Sequence, residues 1–214
     1  MTLLLFHLCG MLPLHLQTFS IAGTSIKIYI PDAETVHRLY ANNKAAAYWA
    51  QVWPASIGLC KFLYKYPHYI EGKNIMELAA GLGLPGLYAA AIAKQVIITD
   101  KEEQAVGCIQ QSIAHLPLKN AYAMAMDWKD AAHAPLPDAL LLSDVNYEPD
   151  TFNELLYIID NFLRKSIPVI ISTPQRLVAK EFINMLLLHC TQQWNCEVAM
   201  NGKETGVSVF VLGK

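Results

Sequence analysis

Three glycines, Gly81, Gly83 and Gly86, follow the short apolar run Asn74-Ile75-Met76-Glu77-Leu78 and precede an alanine-rich stretch from Leu87 to Lys94. Glycine lacks a Cβ and takes positive φ without strain, so Gly81 and Gly83 can bring backbone close to a ligand, and Gly86 lets a helix pack tightly on a sheet. The β-branched run Gln95-Val96-Ile97-Ile98-Thr99 then ends on Asp100, whose carboxylate can accept hydrogen bonds from a ribose diol. A strand, a G-x-G-x-x-G turn, a helix and an acid about twenty residues further on describe a nucleotide-binding βαβ unit. NAD, FAD and S-adenosylmethionine all use this layout. Glu77 discriminates among them, because a pyrophosphate beside a carboxylate at the strand end would be repelled.

Two further stretches carry chemistry-bearing residues to strand ends. Asn120 to Met126 reads as a strand and delivers Asp127-Trp128. A carboxylate at the C-terminal end of a strand points into the ligand crevice of an open α/β sheet, while Trp128 could cover a base or the sheet edge. Ala139 to Ser143 reads as a buried strand and delivers Asp144-Val145-Asn146-Tyr147-Glu148-Pro149. Asp144 is a candidate for orienting a reacting group, Tyr147 for walling its channel, and the Asn146 amide for orienting an incoming nitrogen.

The elements that position these residues follow from pattern. Thr18-Phe19-Ser20-Ile21 and Ser25 to Ile30 flank Ala22-Gly23-Thr24 as a β-hairpin. Asp32 caps a short helix over Ala33 to Tyr40. Pro54 suits the first turn of a helix bearing Ile57, Leu59, Cys60 and Leu63 on its apolar stripe, with Tyr48, Trp49 and Trp53 ahead of it. Helices are expected over Leu87 to Lys94, Lys101 to His115, Thr151 to Leu163 and Gln175 to Cys190. Ile167 to Ser172 reads as a strand, and Trp194 to Met200 and Gly206 to Leu212 as a closing hairpin. Residues 1–16 are apolar but lack a basic leader and are too short for a span. Met11 is a possible true start, which would leave residues 1–10 non-native.

Several of these segments resemble the class I, seven-β-strand S-adenosylmethionine-dependent methyltransferases. Glu77-Leu78-Ala79-Ala80-Gly81-Leu82-Gly83 resembles their motif I, and Asp144-x-x-Tyr147 resembles the loop after their motif II. The Trp53-Pro54 segment is similar to one upstream of motif I in the family-16, protein-lysine methyltransferase-like group, which includes the electron-transfer-flavoprotein β-subunit methyltransferase branch. The resemblance implies an α/β, three-layer Rossmann-like fold with a mostly parallel seven-stranded sheet in the order 3-2-1-4-5-7-6. An N-terminal extension with the hairpin would occupy residues 1–45 and the methyltransferase domain residues 46–214. It implies S-adenosylmethionine as cofactor, held by Trp53, Glu77, Gly81, Gly83, Gly86, Asp100, Asp127, Trp128 and Asp144. Glu77 would sit beneath the glycine loop near the methionine part, and Asp127 would face the adenine amino group. It implies catalytic roles for Asp144, Tyr147 and Asn146 in methylating a protein lysine. Asn146 departs from the usual aliphatic residue of that loop.

Composition narrows the rest. The chain has 214 residues, is 54% hydrophobic and 16% charged, and carries a net charge of −2, which fits one α/β domain with a sheet buried on both faces. There is no basic run, so non-specific nucleic-acid binding is not expected. Membrane association is not expected either. The five cysteines, an odd number without a C-x-x-C pair, read as reduced thiols of a cytoplasmic protein. The seven histidines show no metal-ligand spacing, so no metal is expected. A small-molecule N- or O-methyltransferase, an NAD-dependent oxidoreductase and a catalytically inactive binding module remain as alternatives.

Overall fold

Period-two alternation along the central strands sends side chains into two separate cores. Ile75, Leu141, Ile170 and Val211 enter one; Met76, Leu140, Leu142, Ile171 and Leu212 enter the other. Strands buried on both faces read as continuous apolar runs, which is why these segments show so little polarity. The structure, a computed structural model, describes residues 12–42, 45–175 and 179–213, without the side chains of 45 and 46. The proposed start at Met11, the nativeness of residues 1–10 and Cys9 lie outside the described residues.

The strands are β1 Leu14–Ile21, β2 Thr24–Pro31, β3 Asn74–Leu78, β4 Gln95–Asp100, β5 Ala121–Ala125, β6 Ala139–Ser143, β7 Val169–Pro174, β8 Cys190–Met200 and β9 Lys203–Leu212. The helices are α1 Ala33–Asn42, α2 Pro54–Lys65, α3 Leu84–Ala89, α4 Glu103–His115, α5 Phe152–Arg164 and α6 Lys180–Leu187. The main sheet has seven strands in the order β5-β4-β3-β6-β7-β9-β8. Counted from β3, that is the expected 3-2-1-4-5-7-6. All neighbours pair in parallel except β9, which runs antiparallel to both β7 and β8. One layer of α2, α3 and α4 contributes Phe62, Leu87 and Ile109 to the first core. The other layer, α5 and α6, contributes Leu155, Phe162 and Phe182 to the second.

β1 and β2 form the expected hairpin around a two-residue turn, Ala22 and Gly23, both at positive φ. That geometry matches the twist of the flanking strands. Its inward residues Phe19, Ile21, Ile26 and Ile28 are buried in the first core. The Tyr29 N–H donates to Ser112 Oγ on α4 at 2.9 Å. Asp32 Oδ1 accepts from the Thr35 N–H at 2.7 Å and so caps α1.

The helix after the glycines differs from expectation. It begins at Leu84, three residues before the alanine-rich stretch, and stops at Ala89. Alanine propensity is overridden by the need to turn back into β4. Asn120 Nδ2 takes up the carbonyls of Ala90 and Ala93 at 2.9 and 2.8 Å, and the Gly72 N–H donates to the Ile92 carbonyl. The closing hairpin is also longer than expected, with Asn201 and Gly202 at positive φ in its turn. α6 is shorter than the Gln175 to Cys190 expectation, part of which falls on residues outside those described. No helix among the described residues is long and apolar enough to cross a membrane.

Candidate active site

The chain runs outward from β3 through β4 to β5, then crosses back to place β6 on the other side of β3. Ligands bind at the carboxyl ends of strands where the order reverses in this way. The loops after β3 and β6 flank that point and share a cleft of ≈ 370 Å³. A residue at each strand end takes a left-handed conformation without being glycine, Ala79 at φ 50° and Asp144 at φ 56°. Such strain costs on the order of 1–3 kcal/mol each and persists where the surroundings enforce it. Here the Ala80 N–H donates to the Thr99 carbonyl and the Asp144 N–H to the Ser172 carbonyl, both at 2.9 Å.

The glycine turn is tied to the strand beside it. The Gly81 N–H donates to Asp100 Oδ2 at 2.7 Å, and Asp100 Oδ1 accepts from the Glu102 N–H at 3.0 Å. Burial pushes the Asp100 carboxyl upward, partly offset by these two N–H donors. Gly81 has φ 57°, and a Cβ there would stand 3.3 Å from the Trp49 carbonyl oxygen. Gly83, at φ 69°, caps α3 with its backbone. Both positions therefore need glycine for conformation as well as for close approach.

Glu77 and Gly86 lie beneath this turn and do not line the cleft. Glu77 is fully buried, and its Oε2 accepts from the Gly86 N–H at 2.8 Å. Oε1 has no partner among the described residues. Burial outweighs the Gly86 donor and pushes the carboxyl up to about 8, with the nearby Asp100 adding to the rise. Glu77 thus supports the loop from below and, contrary to the expectation from sequence, presents no carboxylate to the cleft that could repel a pyrophosphate. A Cβ on Gly86 would fall 2.5 Å from Glu77 Oε2, so Gly86 is what allows that approach.

Trp53, Asp127, Trp128, Asp144 and Tyr147 all line the cleft. Trp53 caps α2, and its indole N–H donates to the Tyr48 carbonyl at 2.9 Å. Asp127 Oδ1 accepts from the Lys129 N–H at 3.1 Å, capping the turn that carries Trp128. Tyr147 is 39% exposed and its ring centroid is 4.7 Å from that of Tyr48. Partial burial, then the negative field of Glu148, Asp100, Tyr48 and Asp144, pushes its phenol up to about 12, so it stays protonated at neutral pH. Tyr147 therefore offers a wall and a donor rather than a base. Asn146 stands apart: it is fully buried, does not line the cleft, and neither amide atom has a partner among the described residues.

Other cleft residues were not anticipated from sequence as site residues. Ser56 on α2 and Ser143 at the end of β6 face each other, Oγ to Oγ, at 3.0 Å beside Asp144. Ser143 could have been found as the last residue of a crevice-facing strand. Among the described residues, Glu102, Glu148 and Glu154 join Asp100, Asp127 and Asp144 on the walls, against Lys101 and Lys129. Lys129 Nζ is 3.3 Å from Glu154 Oε1, which neutralises part of that charge locally. Among the described residues no group of three or more His, Cys, Asp or Glu could hold a metal ion.

Residues 39–189 match the lysine methyltransferase family. The chain belongs to that family. It is 30% identical over 122 residues to the histone-arginine methyltransferase METTL23 of Homo sapiens, covering 54% of this chain and 64% of that one. It is 29% identical over 147 residues to the protein N-lysine methyltransferase METTL21A of Xenopus tropicalis, covering 66% and 68%. The chain spans about half to two thirds of the length of the METTL23 proteins it matches. Among solved structures, the N-methyltransferase NodS from Bradyrhizobium japonicum, in complex with S-adenosyl-L-homocysteine, superposes with a TM-score of 0.61 at 16% identity, covering 85% of this chain and 98% of that one. At that identity the likeness is one of fold. The relatives named here carry other branch names than the flavoprotein-directed branch suggested by the motifs, so membership holds at the level of the lysine methyltransferase family. The cleft of this lysine methyltransferase family member is lined by the Gly81 turn, by Asp100 and by further carboxylates from the loops after β5 and β6.

Proposed function

We propose that the chain is an S-adenosylmethionine-dependent methyltransferase acting on a lysine side chain of a protein substrate. The observation that carries this reading is the pairing of a glycine turn pinned to Asp100 with six carboxylates along one cleft, set among the described residues against two lysines, Lys101 and Lys129. A dinucleotide's pyrophosphate would be repelled there, whereas a sulfonium and an amine are attracted. Family membership supports lysine as the acceptor.

S-adenosylmethionine, when bound, supplies a methyl group on sulfur for in-line displacement. Gly81 and Asp100 would hold its ribose, Asp127 and Trp128 its adenine, and the Ala79–Gly83 turn its amino-acid end. The protein's share is orientation and exclusion of water. The lysine ammonium must lose a proton before its lone pair can react. Asp144 orients it, and Asp144 or Glu148, directly or through water, accepts that proton. Tyr147 lines its channel. A protein acceptor and reduced thiols at Cys60, Cys108, Cys190 and Cys196 support a cytoplasmic site of action without a membrane or non-specific nucleic-acid partner.

Titration calorimetry with S-adenosylhomocysteine and with NADH tests the cofactor. Binding of the first alone is expected, and binding of NADH alone would overturn the reading. A gain of 14 Da on a lysine after incubation of a protein extract with enzyme and S-adenosylmethionine tests the activity. Arginine is the second reading, favoured by the match to a histone-arginine methyltransferase, and the residue carrying the added mass decides between them. Labelling of small molecules alone would move the acceptor out of the protein class, and no labelling at all would point to an inactive binding module.

A further inference from the structure

Tyr48 and Tyr147 line the cleft as a tilted pair, with ring centroids 4.7 Å apart and planes inclined at 58°. Trp53 flanks them, its ring 6.2 Å from that of Tyr48 at 59°. Tyr48 is held from several sides. The Trp53 indole N–H donates to its carbonyl. Tyr40 from α1 packs edge-on against it at 6.0 Å, and Gln51 Nε2 fixes the Tyr40 hydroxyl at 2.9 Å. Glu148 and Asp144 are close enough to act electrostatically on the Tyr147 phenol.

We propose that this aromatic wall is a subsite that binds a methylated alkylammonium more tightly than the unmethylated one, with Tyr48 as its specificity-determining residue. The inference rests on the methyltransferase reading above. Each methyl group on an ammonium removes an N–H donor, so a purely polar site would lose a hydrogen bond with every addition. A ring face needs no donor and attracts the diffuse positive charge of N-methyl groups, while the carboxylates supply the long-range field. Rings already fixed by Tyr40, Gln51 and Trp53 lose little freedom when the cation arrives. The site therefore accepts a mono- or dimethylated nitrogen as readily as a bare one. In each further round the nitrogen lone pair forms one N–C bond as one C–S bond breaks, the bonding pair stays on sulfur, and one N–H proton leaves to Glu148, Asp144 or water.

The test uses the full chain saturated with S-adenosylhomocysteine. The probes are N-acetyl-lysine methylamide, its trimethylated form, and the uncharged tert-butyl isostere of the latter, followed by NMR titration. The trimethylated probe is expected to bind about fivefold more tightly than either of the others. Tyr48→Phe should keep that preference and Tyr48→Leu should lose it. Binding of S-adenosylhomocysteine to each variant reports that its fold is intact. Equal binding of the three probes, an isostere as tight as the cation, or a Leu variant that keeps the preference would each overturn the inference alone. Failure of the unaltered chain to bind S-adenosylhomocysteine would overturn the methyltransferase reading, and the inference with it.

Discussion

The Gly81 N–H and Asp100 Oδ2 lie 2.7 Å apart across two neighbouring strand ends, so the glycine turn and the acid that ends β4 are one unit. Each carboxylate oxygen retains a further lone pair for a ligand after accepting its backbone donor. Asp100→Ala removes both the tie and the proposed ribose acceptor. It should weaken S-adenosylhomocysteine binding by about 1.5–3 kcal/mol. Calorimetry showing unchanged affinity would remove Asp100 from the ribose site.

The buried Glu77 makes stability depend on pH. The folded protein keeps its proton to about pH 8, whereas an unperturbed carboxyl loses it near 4.5. Between those values the folded state holds the extra proton, so stability falls as pH rises, by about 1.4 kcal/mol per pH unit for one full proton, and levels off above the window. Glu77→Gln, which mimics the protonated acid, should flatten this slope while the fold survives. Urea unfolding from pH 5 to 9 measures it, and identical slopes in both proteins would mean that Glu77 is charged in the fold.

Gly86→Ala should be disruptive although Gly86 lies in a helix. The new methyl would meet Glu77 Oε2 at 2.5 Å and Ile98 Cγ1 at 2.7 Å. Overpacking of this kind costs about 1–3 kcal/mol, visible as a fall in melting temperature of several degrees. A variant as stable as the parent would show that Glu77 moves freely under the loop.

Asp144→Asn should separate chemistry from cofactor binding. Turnover is expected to fall by roughly 10²-fold or more, with S-adenosylhomocysteine affinity changed far less. Collapse of that affinity instead would assign Asp144 to the cofactor alone.

Asn146→Leu should raise stability, by about 1 kcal/mol or more, because it replaces a buried amide without partners among the described residues with an apolar group of similar size. Thermal unfolding measures this directly. Destabilisation would mean that ordered water satisfies the amide.

Most of the sheet was legible because its strands are short apolar runs bounded by turns, and Gly81, Gly83 and Asp100 were legible because their spacing mirrors a local βαβ unit. The α3 boundary was not, since its end is set by Asn120, thirty residues downstream of the Ala90 carbonyl that it binds. Asn146 was read as a site residue from its place in a loop. Which way a loop residue faces depends on the left-handed turn at Asp144, which no local pattern announces. Ser56 and Ser143 escaped because two hydroxyls 87 residues apart become neighbours only through the packing of α2 on the sheet.

The family match begins at residue 39, yet the first core draws on Phe19, Ile21, Ile26 and Ile28 of the hairpin. A fully buried side chain of this kind contributes about 1.5–3 kcal/mol. Four of them rival the entire net stability of a domain, about 5–15 kcal/mol. The stretch matched to the family and the stretch that builds the first core are thus different lengths of chain. Trimming to the shared part would remove one wall of the core under α4, whose Ile109 stands 3.1 Å from where a Cβ on Gly83 would be.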